Sequence, residues 1–211
     1  MSTAPLVIVK VGGSLLSWSE LPRRVKGFLA SQPAGLHVLV AGAGPWGDFV
    51  RRADEQFQLG QERSHWLCVE ALSLSARLLS QILGDLPLID SRVSLRELHR
   101  GPPASATACV FDPRPFLVTE EPSAAGNRLP HTWDVTTDSI AARLAQCLEA
   151  NALVLLKSCN PPPQATIEEA SRAGFVDRHF AKAAAPLACV VCVNLRGGIQ
   201  PITLRSANHG P

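Results

Sequence analysis

Leu6-Val7-Ile8-Val9-Lys10-Val11-Gly12-Gly13-Ser14 sets a continuous apolar run, one lysine and a glycine pair side by side near the amino terminus. Such a run, closed by glycines, reads as a strand buried on both faces, the kind found in parallel sheets. Lys10 lies inside it, and burying an uncompensated ammonium is expensive, so a partner or an anionic ligand is expected there. The glycines let consecutive backbone N–H groups converge on an anion, with Lys10 adding a full positive charge. The alternative for this loop alone is a tight strand-to-helix turn.

Working outward, strands alternate with helices, which predicts a mostly parallel sheet. A helix over 21–29, with Ser19 as cap and Pro22 in its first turn, leads to a second strand, Leu36 to Val40. Gly42-Ala43-Gly44 follows it as a second loop on the same carboxyl edge, where open α/β sheets bind ligands. A short helix through Phe49, Val50 and Ala53 precedes a long amphipathic one over 64–83. Further strands are expected at 86–89 and 109–111, with a short helix near 95–98. The Pro-, Glu- and Ser-rich stretch 119–129 reads as a surface loop or lid. Thr136-Thr137-Asp138-Ser139 is a helix-start signal, and Leu153 to Leu156 is an apolar strand that delivers Lys157 at its carboxyl end. Pro161 to Pro163 forbids regular structure, short helices are expected at 167–173 and 180–184, and strands 188–194 and 199–204 close a hairpin.

The chain has 211 residues, of which 46% are hydrophobic, within the range of one α/β domain, so residues 1–211 are expected to form one. Twenty Lys and Arg against 18 Asp and Glu form no basic run, so nucleic acid is not an expected partner. The amino terminus has no positive leader, and Lys10 interrupts the first apolar run. Neither a signal peptide nor a membrane span fits, and a cytoplasmic location is expected. The six cysteines lie mostly in apolar stretches, as buried hydrophobes of a reducing compartment do. Cys189 and Cys192 form a CxxC, but on a strand their side chains face opposite ways, so no redox pair or zinc site is expected.

Lys157 shares the setting of Lys10, and two such lysines would neutralise opposite sides of a transferring phosphoryl group. Asp138 at a helix start would hold both ammonium groups, though a plain cap is the alternative. His65, Trp66, His131 and Trp133 offer aromatic and imidazole surfaces for a small ring substrate. Gly42 to Gly47 also spells GxGxxG, but the acidic residue a dinucleotide site wants about twenty residues on falls in a helix, and the next strand ends only at Asp90.

Taken in order, 7–14, Gly42 to Gly44, 135–141 and 155–158 resemble the amino acid kinase superfamily, which includes uridylate, acetylglutamate, aspartate and isopentenyl phosphate kinases. His65-Trp66, 131–138 and 175–180 most resemble its aminomethylfuran-methanol phosphate kinase branch, which serves methanofuran biosynthesis, and the bacterial relatives of that branch. The resemblance implies a three-layer αβα sandwich and phosphoryl transfer from ATP, with Mg2+ on the nucleotide, to a small phosphate-bearing acceptor. It assigns Lys10, Lys157 and Asp138 to catalysis, and the loop residues Gly12, Gly13, Ser14, Gly42, Ala43 and Gly44 to phosphate, with no metal ligand from the protein. A homo-oligomer is expected by the same analogy. Three departures stand out. Ala43 replaces the middle glycine of three, where its methyl is expected to crowd a phosphate contact. Lys157-Ser158-Cys159-Asn160-Pro161-Pro162-Pro163 stands where relatives read toward an acidic residue and glycine, and the chain is short beyond it. These leave a second expectation open, a non-catalytic member of the fold that binds a phosphorylated metabolite or a partner subunit.

Overall fold

The computed structural model describes residues 4–99, 106–198 and 200–206. Its strands are β1 (Leu6–Val11), β2 (Gly35–Ala41), β3 (Leu88–Ile89), β4 (Ala106–Phe111), β5 (Ala152–Lys157), β6 (Val190–Asn194) and β7 (Pro201–Leu204). They form one sheet in the order β3-β4-β2-β1-β5-β6-β7. Every pairing is parallel except β6 with β7, which closes the expected hairpin. The order reverses at β1, because β2 lies on one side of it and β5 on the other. In open α/β sheets the crevice at the carboxyl ends of such a pair is where ligands bind.

The helices are α1 (Leu21–Ala30), α2 (Pro45–Phe57), α3 (Gln61–Ile82), α4 (Arg92–His99), a single turn α5 (Pro113–Pro115), α6 (Thr137–Cys147), α7 (Ile167–Arg172) and α8 (Phe180–Ala184). Alternation along the central strands sorts the core into two layers. Ile8, Val38, Leu153 and Leu155 pack with Ile140, Ala141, Leu144 and Phe180 from α6 and α8. Val9, Val11, Leu39, Val154 and Leu156 pack with Leu21, Val25 and Phe28 of α1. The three-layer αβα sandwich follows, with α3 contributing Val69 and Leu72 to one layer and Ala76 and Leu79 to the other.

Some local expectations give way. The position before α1 is Glu20, without a side-chain cap, rather than Ser19. Pro22, in the first turn, has no amide proton to satisfy, which lessens the need for one. The helix after the second glycine loop is not short, because α2 runs 13 residues. β3 is a two-residue edge strand, and β6 starts two residues later than expected. The expected start of the last strand at Ile199 lies outside the described residues.

Stretch 119–129 is fastened rather than free. A π-helical turn, Phe116–Glu120, and a 3-10 turn, Glu121–Ser123, open it. Behind them Arg143 of α6 donates from Nε to Glu121 Oε1 at 3.0 Å and from its terminal nitrogens to the carbonyls of Ala124 and Ala125. Both charged side chains are almost fully buried. Absence of apolar period signalled a surface loop; the anchor was a single acid, Glu121, between half-buried neighbours.

Candidate active site

Strand alternation decides where the two lysines point. Lys10 shares a face with Leu6 and Ile8, and Lys157 shares one with Leu153 and Leu155, so both face the layer that holds α6. β1 and β5 are adjacent and parallel, with Val11 opposite Leu156, which places both ammonium groups at the carboxyl edge. α6 starts over that edge, capped by Thr136, and carries Asp138 in its first turn, where the helix dipole favours a carboxylate.

Asp138 bridges them. Lys157 Nζ donates to Oδ2 at 2.7 Å, and Lys10 Nζ stands 2.8 Å from Oδ1 as an ion contact. Lys157 also donates to the carbonyl of Phe175 at 2.8 Å and lies over its ring. Lys10 is 6% exposed and Asp138 4%. Burial pulls the Lys10 pKa down, the Asp138 carboxylate opposes this and the neighbouring Lys157 adds to it; the net shift is downward. Burial alone would raise the Asp138 pKa, but the two ammonium groups outweigh it and hold the carboxyl below its usual range. Two cations against one carboxylate leave one net positive charge on the bridge itself, with Asp177 near enough to offset part of it.

A second aspartate, which sequence reasoning did not single out by itself, fixes this bridge. Asp177 accepts from Thr136 N at 2.9 Å, Thr136 Oγ1 at 2.8 Å, Ser139 N at 3.0 Å and Ser139 Oγ at 2.5 Å. It satisfies the orphan amides of the α6 start from 38 residues or more along the chain. Its segment also delivers the Phe175 carbonyl to Lys157. The signal available in the sequence was an acidic residue after Gly174-Phe175-Val176, too common a pattern to read as a remote cap.

The two glycine loops interlock. A Cβ on Gly13 would stand 2.5 Å from Gly44 N, and one on Gly42 would stand 2.6 Å from Gly13 N. Glycine is required here for backbone approach. The amides divide by use: Gly12 N donates to Leu156 O at 2.8 Å and Gly42 N to Val11 O at 2.9 Å, so neither is available to a ligand. Among the described residues, the amides of Gly13, Ser14, Ala43 and Gly44 have no acceptor. The Ser14 hydroxyl lies 3.2 Å from that of Ser158, tying the first loop to the residue after Lys157. Ala43 is half-buried, packs against the core on the α6 side and also lines the pocket.

Lys10, Gly13, Gly42, Ala43 and Gly44 line a cavity of about 230 Å3, whose far wall is His65, Val69, Leu72, Trp133 and Ile140. A neighbouring cavity of about 560 Å3 is lined by Asp138, Lys157, Arg172, Phe175 and Arg178. His65 stacks on His131 with centroids 4.6 Å apart, and Trp66 meets both edge-on. Glu62 holds this group, accepting from Trp66 Nε1 at 2.8 Å and standing 2.9 Å from His131 Nδ1. Only His65 and Trp133 reach the smaller cavity; Trp66 and His131 support His65 from behind. Burial, with His131 adding and Glu62 opposing, pushes the His65 imidazole down to about 4, so it is neutral at physiological pH. Cys192 is buried and Cys189 partly so, with no disulfide, and burial pushes the Cys192 thiol up to about 12. No helix among the described residues is long and apolar enough to cross a membrane.

The model of the family described as "Amino acid kinase family" matches residues 5–160. A curated relative, the [5-(aminomethyl)furan-3-yl]methyl phosphate kinase of Methanocaldococcus jannaschii, is 22% identical over 149 residues, covering 70% of this chain. The chain spans 63% of that relative's length. Among solved structures, UMP kinase from Ureaplasma parvum superposes with a TM-score of 0.61 at 12% identity, covering 92% of this chain and 91% of that one. UMP kinase from Bacillus anthracis gives 0.59 at 11% identity, covering 93% and 89%. These likenesses establish the same fold.

Proposed function

The chain belongs to the amino acid kinase family, and from that premise we propose that it is a small-molecule kinase that transfers a phosphoryl group from ATP to an acceptor already carrying a phosphate. The observation that carries this reading is the Asp138 carboxylate shared by Lys10 and Lys157 beside two interlocked glycine loops. The acceptor occupies the smaller cavity, its ring against His65, Trp133 and Ile140. The donor's terminal phosphate lies on the free amides of Gly13, Ser14 and Gly44. An acceptor oxygen forms the new bond to phosphorus as the bond to the bridging oxygen of ADP breaks. The acceptor phosphate is ionised at neutral pH, so no proton need be removed. Lys10 and Lys157 neutralise charge on the transferring group from two sides, and Asp138 fixes their separation.

Both Asp138 oxygens are engaged by lysines, and among the described residues no three His, Cys, Asp or Glu side chains gather as metal ligands. That donor set fits Mg2+ carried on the nucleotide phosphates, not caged by protein, where it would supply charge neutralisation. The proposal takes residues 1–211 as one domain acting in the cytoplasm as a homo-oligomer. The relative's substrate, [5-(aminomethyl)furan-3-yl]methyl phosphate, is the first acceptor to test.

One observation favours a second reading. Pro161 is buried at the head of a three-proline run, where the family resemblance implies an acidic residue, so a phosphate binder without turnover is the alternative. Thermal shift with Mg·ATP, followed by ADP release with that acceptor, separates them. A kinase rises in Tm by about 5 °C at saturating nucleotide and releases ADP only with acceptor. A binder responds to the phosphate ester alone.

A further inference from the structure

The two cavities meet along a wall made by Arg51, Trp133 and Thr136, the residues that line both. Arg51 is one helical turn beyond Asp48 on α2, and its guanidinium carbon lies 4.4 Å from the centroid of the Trp133 ring. Trp133 is itself fixed, donating from Nε1 to Asp54 Oδ2 at 2.8 Å. Asp54, on the same helix as Arg51, is held in turn by the Gly60 amide at 2.8 Å. The chain thus folds one aromatic plane back over α2 to orient one arginine. Among the described residues, no carboxylate lies within ion-pair distance of Arg51, whereas Lys10 and Lys157 share Asp138.

We infer that Arg51 is the specificity-determining residue that recognises the phosphate already present on the acceptor. This deepens the proposed kinase reading and rests on it for the direction of transfer, though not for the binding itself. A phosphate monoester carries close to two negative charges at neutral pH and must approach a second phosphate. Lys10 and Lys157 against Asp138 offer one net positive charge, which the donor phosphate already needs. Arg51 supplies a cation that has no ion-pair partner among the described residues, on the wall shared by the smaller cavity and the larger. A guanidinium stacked on an indole loses little freedom on binding and presents a planar fork matched to phosphate oxygens. An acceptor that ends in a bare alcohol would leave this charge unanswered, so the site selects a phosphate monoester over its alcohol.

Calorimetric titration with inorganic phosphate tests the assignment, in the full chain and in R51A, R51K and W133L. Each titration is run alone and again with saturating Mg2+ and β,γ-methylene ATP, which occupies the donor loops. R51A is expected to weaken phosphate binding at least about tenfold in both conditions, with R51K between it and the parent chain. W133L, which keeps the guanidinium but removes its support, is expected to weaken binding by about threefold. Affinity for the nucleotide analogue stays within about twofold in all of them. Phosphate affinity unchanged in R51A, equal loss of analogue and phosphate, or no phosphate binding by the parent chain overturns the assignment. Arg51-dependent phosphate binding in a chain that does not bind the analogue keeps Arg51 and removes the kinase reading.

Discussion

Gly42 lies against Gly13 so closely that a side chain on Gly42 would stand 2.6 Å from the Gly13 amide nitrogen. Both loops leave strands that are neighbours in the sheet, and each is the floor of the other. G13A is therefore expected to separate both loops and destabilise the chain by about 2–4 kcal/mol in urea unfolding. Gly27, in α1, has nothing within 4 Å of a new Cβ. G27A is expected to stabilise by about 0.5–1 kcal/mol, so the two substitutions differ in sign.

His65 sets a pH dependence of stability. Its folded pKa, about 4, lies below the 6.5 of a free imidazole, so the unfolded chain takes up a proton first as pH falls. Its contribution is complete above pH 6.5 and is lost as pH falls through about 4, amounting to about 3 kcal/mol. H65Q is expected to flatten the acid limb of a stability profile over that window, leaving the slope above pH 7 unchanged.

Asp177 holds the α6 start from a distant segment. D177A removes the acceptor of three amides, those of Thr136, Ser139 and His179, and of two hydroxyls, and is expected to cost about 2 kcal/mol or more. D177N keeps one oxygen and is expected to recover part of it. Because α6 carries Asp138, phosphate affinity measured by calorimetry falls in the same order.

The Arg143 and Glu121 pair predicts non-additivity. Either single change to leucine leaves a buried charge without its partner and is expected to cost about 3–5 kcal/mol. The double change to leucine costs less than the sum in the same unfolding measurement. Limited proteolysis within 119–129 rises in both single variants if this pair is what fastens the stretch.

Much of this was legible in the sequence because the decisive residues violate a local pattern. Lys10 is a charge inside one apolar strand and Lys157 a charge at the carboxyl end of another, which puts both on one edge of the sheet. The order of strand and helix signals was equally plain, since glycines and prolines punctuate it. What stayed hidden was long-range. Asp177 caps a helix from another segment, Gly12 and Gly42 spend their amides on neighbouring strands, and Arg51 gains its setting only when Trp133 folds back over α2. No spacing rule reports which carbonyl an amide will find, or which ring an arginine will meet.

The central claim is that Lys10 and Lys157, tied by Asp138, act on one anion. Affinity for inorganic pyrophosphate in K10A, K157A and the parent chain tests it most directly, because a diphosphate needs no turnover to be held. Each single variant is expected to bind at least about tenfold more weakly. Binding by either variant at the parent affinity would contradict a shared anion pocket.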